Sequence, residues 1–244
     1  MAQNLQPGER VFVPTSLLPN PASYGTALVV RTVLGTAGRS ATLDLHHGAT
    51  SLPIATSKLH RNVGILIVRI GDLETEQILL DPLAKSVLQF ARLFMDDSIV
   101  QLLQVRSIAE IETWLPRNAA RFSHVVFVGH SDGRGIKFGV GGFKAATLFG
   151  SALGPAPTHR LTFLSLACES GRASFAQAFS QLPFCEAFIA PFHAVHGAIA
   201  SQYCQSFFAH ALLLGETLTV AHRHARESTP GSTSFRLWRA GAMI

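Results

Sequence analysis

The hydrophobic pattern of this chain changes near residue 60. Beyond that point, apolar runs of strand length alternate with stretches in which apolar residues recur with helical period. Continuous apolar runs are typical of strands covered on both faces, so the pattern predicts an α/β fold with a mostly parallel sheet between two helical layers. The predicted strands span 63–70, 98–105, 124–129, 161–167, 184–191 and 234–238, and the predicted helices span 74–97, 107–122, 171–182, 197–214 and 216–227.

Two helix signals are more specific. Pro82 lies inside the first predicted helix and is expected to break it or to start a second one. Ser107 is followed three positions later by Glu110, which predicts a capping box at the start of the helix at 107–122.

The first sixty residues have no helical period. Short β-rich runs at 8–14, 25–34 and 39–54 are separated by Gly, Pro and Asn turns. Four or five short strands in this space predict a small all-β barrel, and the pattern resembles SH3-like or Tudor-like barrels. We therefore divide the chain into 1–60, an interaction module expected to bind a regulatory protein partner, and 61–244, the α/β domain.

Composition excludes several classes of protein. The chain is 48% hydrophobic and 14% charged, which excludes a disordered chain. Its net charge of +5 comes from scattered Lys and Arg, so no direct nucleic-acid partner is expected. The apolar runs are too short to cross a membrane. Three cysteines and a polar start without signal-peptide character favour a reducing cytoplasm.

Two reactive side chains follow apolar runs. The run at 124–129 ends at His130, and the run at 161–167 ends at Cys168. In parallel α/β sheets, ligands bind at the carboxyl ends of the strands. An imidazole beside a thiol is what nucleophilic thiol catalysis requires, so these two residues are the candidate catalytic pair.

Here the sequence resembles the caspase-like cysteine peptidases, in the CHAT branch near the separases. The resemblance covers about 61–244 and is carried by FLSLACESG around the cysteine and by FFAHALLLGETLTVAHRHAR at 207–226. It implies a caspase-like α/β/α sandwich and an endopeptidase that acts through a thioester acyl-enzyme. It also implies that Cys168 is the nucleophile and His130 its general base.

The chain departs from the family at one point. The family has His-Gly, whereas this chain has His130, Ser131, Asp132 and then Gly133. The glycine that lets the backbone approach the substrate carbonyl is thus displaced by two positions. Backbone N–H groups near Cys168 and Gly133 are the expected oxyanion donors.

Four residues are candidates for substrate binding. Gly133 belongs to the expected oxyanion site, and His193 lies in the loop after the fifth predicted strand. Asp132 and Glu169 flank the pair, and either carboxylate could bind a basic substrate side chain. Some relatives carry an acid two positions before the cysteine, where this chain has Leu166.

The remaining cysteines and histidines indicate no second site. Cys185 and Cys204 are expected to be buried small hydrophobes. No metal site and no cofactor are expected, because these histidines join no cluster with zinc spacing: His46, His47, His193, His196, His222 and His224.

Two other functions stay open. Residues 129–133 also spell G-x-S-x-G, the nucleophile elbow of α/β-hydrolases, which would make Ser131 the nucleophile of an esterase. Alternatively, the domain is a catalytically inactive caspase-like adaptor.

Regulation is inferred from spacing and from analogy. Only 16 residues separate Cys168 from residue 184, so there is no long cleavable linker, and a single-chain enzyme activated by a partner or ligand is expected. By family analogy alone, antiphage defence or programmed death is a possible setting.

Overall fold

The amino-terminal part forms a small antiparallel sheet in the order β1-β2-β3-β4. The computed structural model describes residues 5–24, 28–45, 49–60, 64–72, 77–95, 97–153 and 160–244. Phe12 and His60 exchange two backbone hydrogen bonds of 2.7 and 3.0 Å, so the chain returns onto the first strand. The predicted barrel is thus present only in part, as a sheet with this added pairing. Its strands are β1 (Arg10–Pro14), β2 (Leu28–Ala37), β3 (Ser40–Leu43) and β4 (Ile54–Ala55).

The rest of the chain is built on a seven-stranded sheet, and its first five strands in chain order run parallel, as the apolar runs predict. The final two strands pair antiparallel at one edge. Across the sheet the order is β14-β13-β12-β11-β7-β5-β6. These strands are β5 (Gly64–Ile70), β6 (Val100–Val105), β7 (Phe122–Val128), β11 (Leu161–Ser165), β12 (Cys185–Pro191), β13 (Phe235–Arg239) and β14 (Ala242–Met243).

Helices cover both faces of this sheet, each over its own hydrophobic core. One core joins α1, α5 and α6 to the sheet, and the other, rich in phenylalanine, joins α2, α3 and α4 to the opposite face. The predicted three-layer α/β arrangement is therefore confirmed. The helices are α1 (Gln77–Arg92), α2 (Ile108–Asn118), α3 (Ala146–Ala152), α4 (Ala173–Ser180), α5 (Gly197–Phe208) and α6 (Leu218–Ser228).

Among the predictions for individual helices, one is confirmed and two are corrected. The Glu110 carboxylate accepts the Ser107 N–H at 2.7 Å, so the capping box is confirmed. Pro82 does not break α1, which continues through it from Gln77 to Arg92. The helix predicted over 107–122 ends at Asn118, where a short 3₁₀ turn leads into β7.

The segment between β7 and β11 holds elements that the sequence analysis did not predict. The glycine-rich stretch after residue 133 forms a three-stranded antiparallel sheet with the residues around His130. Its strands are β8 (His130–Ser131), β9 (Ile136–Phe138) and β10 (Gly142–Lys144), and α3 follows them. Among the described residues, no helix is both long and apolar enough to traverse a bilayer.

Candidate active site

The two candidate catalytic residues follow neighbouring strands of the large sheet. β7 and β11 pair in parallel, with Ser165 opposite Phe127, and the Leu166 N–H donates to the Phe127 carbonyl at 2.8 Å. His130 and Cys168 each stand three positions beyond this register pair. The fold therefore brings both residues to the same edge, at the carboxyl ends of adjacent strands. Each of the two residues is half-buried.

Cys168 opens a strained turn. Glu169, directly after it, has φ of 61°, in the left-handed region that side chains other than glycine rarely adopt. The buried Ser170 hydroxyl lies 2.7 Å from both the Ser165 hydroxyl and the Ala167 carbonyl oxygen. This network fixes the backbone on either side of the cysteine, so the strain at Glu169 is held by its surroundings.

The turn is also fastened to the next strand. The Gly171 N–H donates to the Pro191 carbonyl at 2.9 Å, and the Trp238 indole N–H donates to the Gly171 carbonyl at 3.0 Å. A Cβ at Gly171 would lie 2.5 Å from the Ala190 carbonyl oxygen, so only glycine fits this close approach. The turn is consequently a rigid platform for the thiol.

The thiol points toward the loop after β12. Cys168 Sγ donates to the Val195 carbonyl at 3.6 Å. Val195 is also part of the wall of an open groove of about 700 Å³ between α1 and the start of α5. Ile78 and Leu79 on its α1 side are 90% and 61% exposed, so the groove beside the thiol presents a largely apolar surface.

The other two cysteines lie in the interior. Cys185 in β12 and Cys204 in α5 are fully buried. Burial raises the pKa of the Cys185 thiol to about 12, and burial likewise raises the pKa of Cys204. Both are the buried small hydrophobes that the sequence predicted, and they stay protonated at neutral pH.

The loop after His130 packs onto the cysteine turn. Gly133 has φ of +80°, and a Cβ there would lie 3.5 Å from the Glu169 Cβ. The Ser174 hydroxyl donates to the Gly133 carbonyl at 2.5 Å. The Gly133 N–H donates to the Ser131 hydroxyl oxygen at 3.0 Å. This loop and the cysteine turn therefore form one contiguous surface.

The predicted substrate-binding side chains all lie on this surface, and each has a partner. The Asp132 carboxylate accepts the backbone N–H groups of residues 134 and 135, at 2.9 Å each, and so fixes the conformation of its own loop. Glu169 forms an ion pair of 2.9 Å with Arg172. The exposed His193 accepts the Glu169 N–H through its carbonyl at 3.4 Å, and its ring packs edge-on against Phe192.

The geometry does not match a nucleophile elbow at Ser131. An elbow requires a strand, a sharp turn and then a helix. Here Ser131 lies in β8, which pairs antiparallel with β9. The chain around this serine is a hairpin, which does not expose the hydroxyl at the head of a helix.

The sequence analysis missed two features. The sequence pointed to the loop after the fifth predicted strand, but not to the carbonyl of Val195 within it, because no side chain signals a backbone contact. In addition, away from this edge, one ligand atom of each of His210, Glu216 and His224 lies within 4.8 Å of the others. Their spacing of six and eight residues is not that of a helix face, so the sequence pattern did not reveal this cluster.

Comparisons with known proteins indicate similarity at the level of the fold. No protein-family model matches this chain. No curated protein matches it either. Its fold is similar to the X-ray structure of a secreted C11 cysteine protease from Bacteroides thetaiotaomicron in complex with an irreversible peptide inhibitor. The identity is 13% and the TM-score 0.52, over 73% of this chain and 66% of that one. The chain therefore spans just under two thirds of the length of that neighbour.

Proposed function

We propose that this chain is a cysteine endopeptidase in which Cys168 is the nucleophile and His130 the general base. The strongest support is the register of β7 and β11. Phe127 and Ser165 lie opposite each other, and the two catalytic candidates each follow three positions later. The similarity to a C11 cysteine protease adds a fold on which thiol peptidase chemistry occurs. The half-buried cysteine on a rigid, strained turn is the arrangement expected of a positioned nucleophile.

The reaction proceeds by acyl transfer. The His130 imidazole takes the thiol proton as sulfur attacks the carbonyl carbon of the scissile peptide bond, giving a tetrahedral oxyanion. Collapse breaks the C–N bond, the departing amine receives the proton from the imidazolium, and a thioester on Cys168 remains. Water, deprotonated by His130, then hydrolyses the thioester and restores the free thiol.

The oxyanion is stabilised by the backbone N–H of Cys168. In the turn from Ala167 to Arg172, every other N–H has an acceptor within the described residues, and that of Cys168 has none. Such a donor is ready to stabilise developing negative charge. The Gly133 N–H would serve as a second donor only after leaving the Ser131 hydroxyl oxygen, which it contacts at 3.0 Å.

The substrate is a polypeptide that occupies the groove between α1 and α5. Because Ile78 and Leu79 are exposed along this groove, it favours apolar substrate side chains next to the scissile bond. Gly133 and His193 border the cleft. A basic substrate side chain would compete with Arg172 for Glu169, or bind the outward face of Asp132.

The finer assignments are also part of this proposal. The chain belongs to the CHAT and separase side of the caspase-like peptidases, and it acts in the cytoplasm, where regulated proteolysis in antiphage defence or programmed death is a suitable setting. The sheet of residues 1–60 is an SH3-like module that binds a regulatory partner. Between Cys168 and β12 lies α4, whose Phe175 and Phe179 are fully buried. Activation by a partner or ligand therefore suits this chain better than cleavage of that connection.

A peptide-library cleavage profile tests the proposal. Wild type should cleave, Cys168→Ala should lose at least about 10³-fold in kcat/KM, and His130→Ala at least about 10²-fold. Ser131→Ala should stay active, because its hydroxyl only positions a loop. Hydrolysis that survives in Cys168→Ala and disappears in Ser131→Ala would establish the esterase-type alternative. Absence of cleavage by wild type, with every candidate partner added, would establish the inactive adaptor.

A further inference from the structure

The far end of α5 carries a second cluster of chemically active side chains. After Phe208 the helix continues as a π-turn, Ala209–Leu213, before a short loop leads into α6. Widened π-turns are rare in proteins, and those that occur are often found at functional sites. This one carries His210, and the Glu216 N–H donates to the His210 carbonyl at 3.1 Å, so the loop folds back onto the turn. His224, on α6, completes the cluster.

The three side chains converge through ligand atoms. Glu216 Oε2 lies 3.1 Å from His210 Nδ1 and 2.9 Å from His224 Nδ1. The two imidazole rings have centroids 5.0 Å apart. In a tetrahedral zinc site with bonds of about 2.0–2.2 Å, neighbouring ligand atoms lie ~3.3 Å apart. Two of these separations are close to that value already.

Protein groups alone do not satisfy this cluster. One carboxylate oxygen faces two imidazole nitrogens, and His224 Nδ1 forms a hydrogen bond with it. His210 Nδ1 is buried and has no hydrogen-bond partner within the described residues, because its contact with Glu216 is poorly aligned for one. A buried polar atom left in this state costs free energy, which a bound cation would recover.

We propose that His210, Glu216 and His224 form a binding site for a divalent transition metal, Zn²⁺ in particular. Two imidazoles and one carboxylate suit zinc and its neighbours in the first transition row, whereas Ca²⁺ and Mg²⁺ prefer oxygen ligands alone. Three protein ligands leave a fourth position for water.

The proposed metal site lies too far from Cys168 to take part in the reaction, so its role is structural. The α5 helix begins beside Val195, next to the thiol, and His210 lies 14 residues after His196, which caps the helix start. At 1.5 Å per residue this separation is about 21 Å, so the metal does not contact the reacting atoms. Bound there, it joins the end of α5 to α6 and stabilises their packing.

Zinc titration of the metal-stripped protein tests the site. The experiment uses the full chain carrying Cys168→Ala, so that the half-buried thiol does not bind zinc and the outcome is independent of peptidase activity. Calorimetry should give one Zn²⁺ per chain, with a rise in Tm. Co²⁺ should give the visible absorption bands of a nitrogen- and oxygen-ligated ion of low coordination number.

The variants locate the ligands. His210→Ala and His224→Ala should each weaken Zn²⁺ binding by at least about 100-fold. Mutation of a residue that only hydrogen-bonds to a metal ligand already lowers metal affinity by about 10–100-fold. Glu227→Gln, at an exposed acid on the same helix α6, is the matched control and should bind as before. Failure of the folded parent protein to bind one Zn²⁺, or binding that persists in the folded double variant His210→Ala/His224→Ala, would overturn the proposal.

Discussion

The turn after β11 leaves its cysteine partly exposed, whereas the two hydrophobic cores on either side of the large sheet bury theirs. Cys168 is half-buried on a turn with backbone strain, and its sulfur faces a carbonyl at the wall of a groove. Cys185 and Cys204 are fully buried, with pKa values raised by burial. The difference shows that local backbone and solvent access, more than residue type, decide which thiol can react.

Thiol alkylation should give the largest contrast. A pKa of about 12 leaves Cys185 with a thiolate fraction of about 10⁻⁴ at pH 8, and burial further blocks the reagent. We therefore expect iodoacetamide to modify Cys168 at least about 10³-fold faster than Cys185 or Cys204, as measured by peptide mass spectrometry. In urea all three should react alike. Equal rates in the native protein would remove the contrast.

The next contrast concerns the rigidity of the turn. Gly171→Ala would place a Cβ 2.5 Å from the Ala190 carbonyl oxygen, so either the turn or β12 must shift. We expect a loss of about 2–4 kcal/mol in the free energy of unfolding in urea, together with lower kcat. Gly197→Ala, where a Cβ would meet nothing within 4 Å, is the control and should be neutral or stabilising. Similar behaviour of the two variants would show that the turn is not constrained.

The interior should also respond to acid. Burial, with Arg226 and Arg236 nearby, lowers the pKa of His222 to about 4. Burial raises the pKa of Tyr203, so this hydroxyl keeps its proton 2.6 Å from His222 Nδ1, where a neutral imidazole can accept its hydrogen bond. The unfolded chain binds a proton below pH 6.5, so stability falls as pH drops from 6.5 toward 4.

Comparison with His222→Gln isolates this effect. Between pH 7 and pH 5, wild type should lose about 2 kcal/mol more unfolding free energy than the variant, since one pKa unit corresponds to 1.36 kcal/mol. Urea unfolding at the two pH values measures it. Parallel losses in the two proteins would show that His222 titrates normally in the fold.

The smallest effect is expected from the hydroxyl network beneath the thiol. Ser170→Ala leaves the buried Ser165 hydroxyl and the Ala167 carbonyl without this partner. A loss of about 1–2 kcal/mol in unfolding free energy is expected. Ser228→Ala, at the exposed pair with Ser206, should change stability by less than about 0.5 kcal/mol. A neutral Ser170→Ala would show that the network does not hold the turn.

The sequence allowed the sheet and the edge that carries Cys168 and His130 to be predicted, because continuous apolar runs identify buried parallel strands. It did not reveal the hairpin after His130 or α3, whose glycine-rich connection hides short periodic segments. Nor could it reveal the groove at Val195 or the His210 cluster. The first depends on a backbone carbonyl and the second on a widened helical turn, and no side-chain pattern encodes either of them.

The most direct test of the account is the rate at which a peptide chloromethyl ketone inactivates the protein, measured with wild type and His130→Ala, with the adduct located by mass spectrometry. The account predicts a single adduct on Cys168 and inactivation at least about 10²-fold slower in the variant. An adduct on another residue, or equal rates in the two proteins, would contradict it.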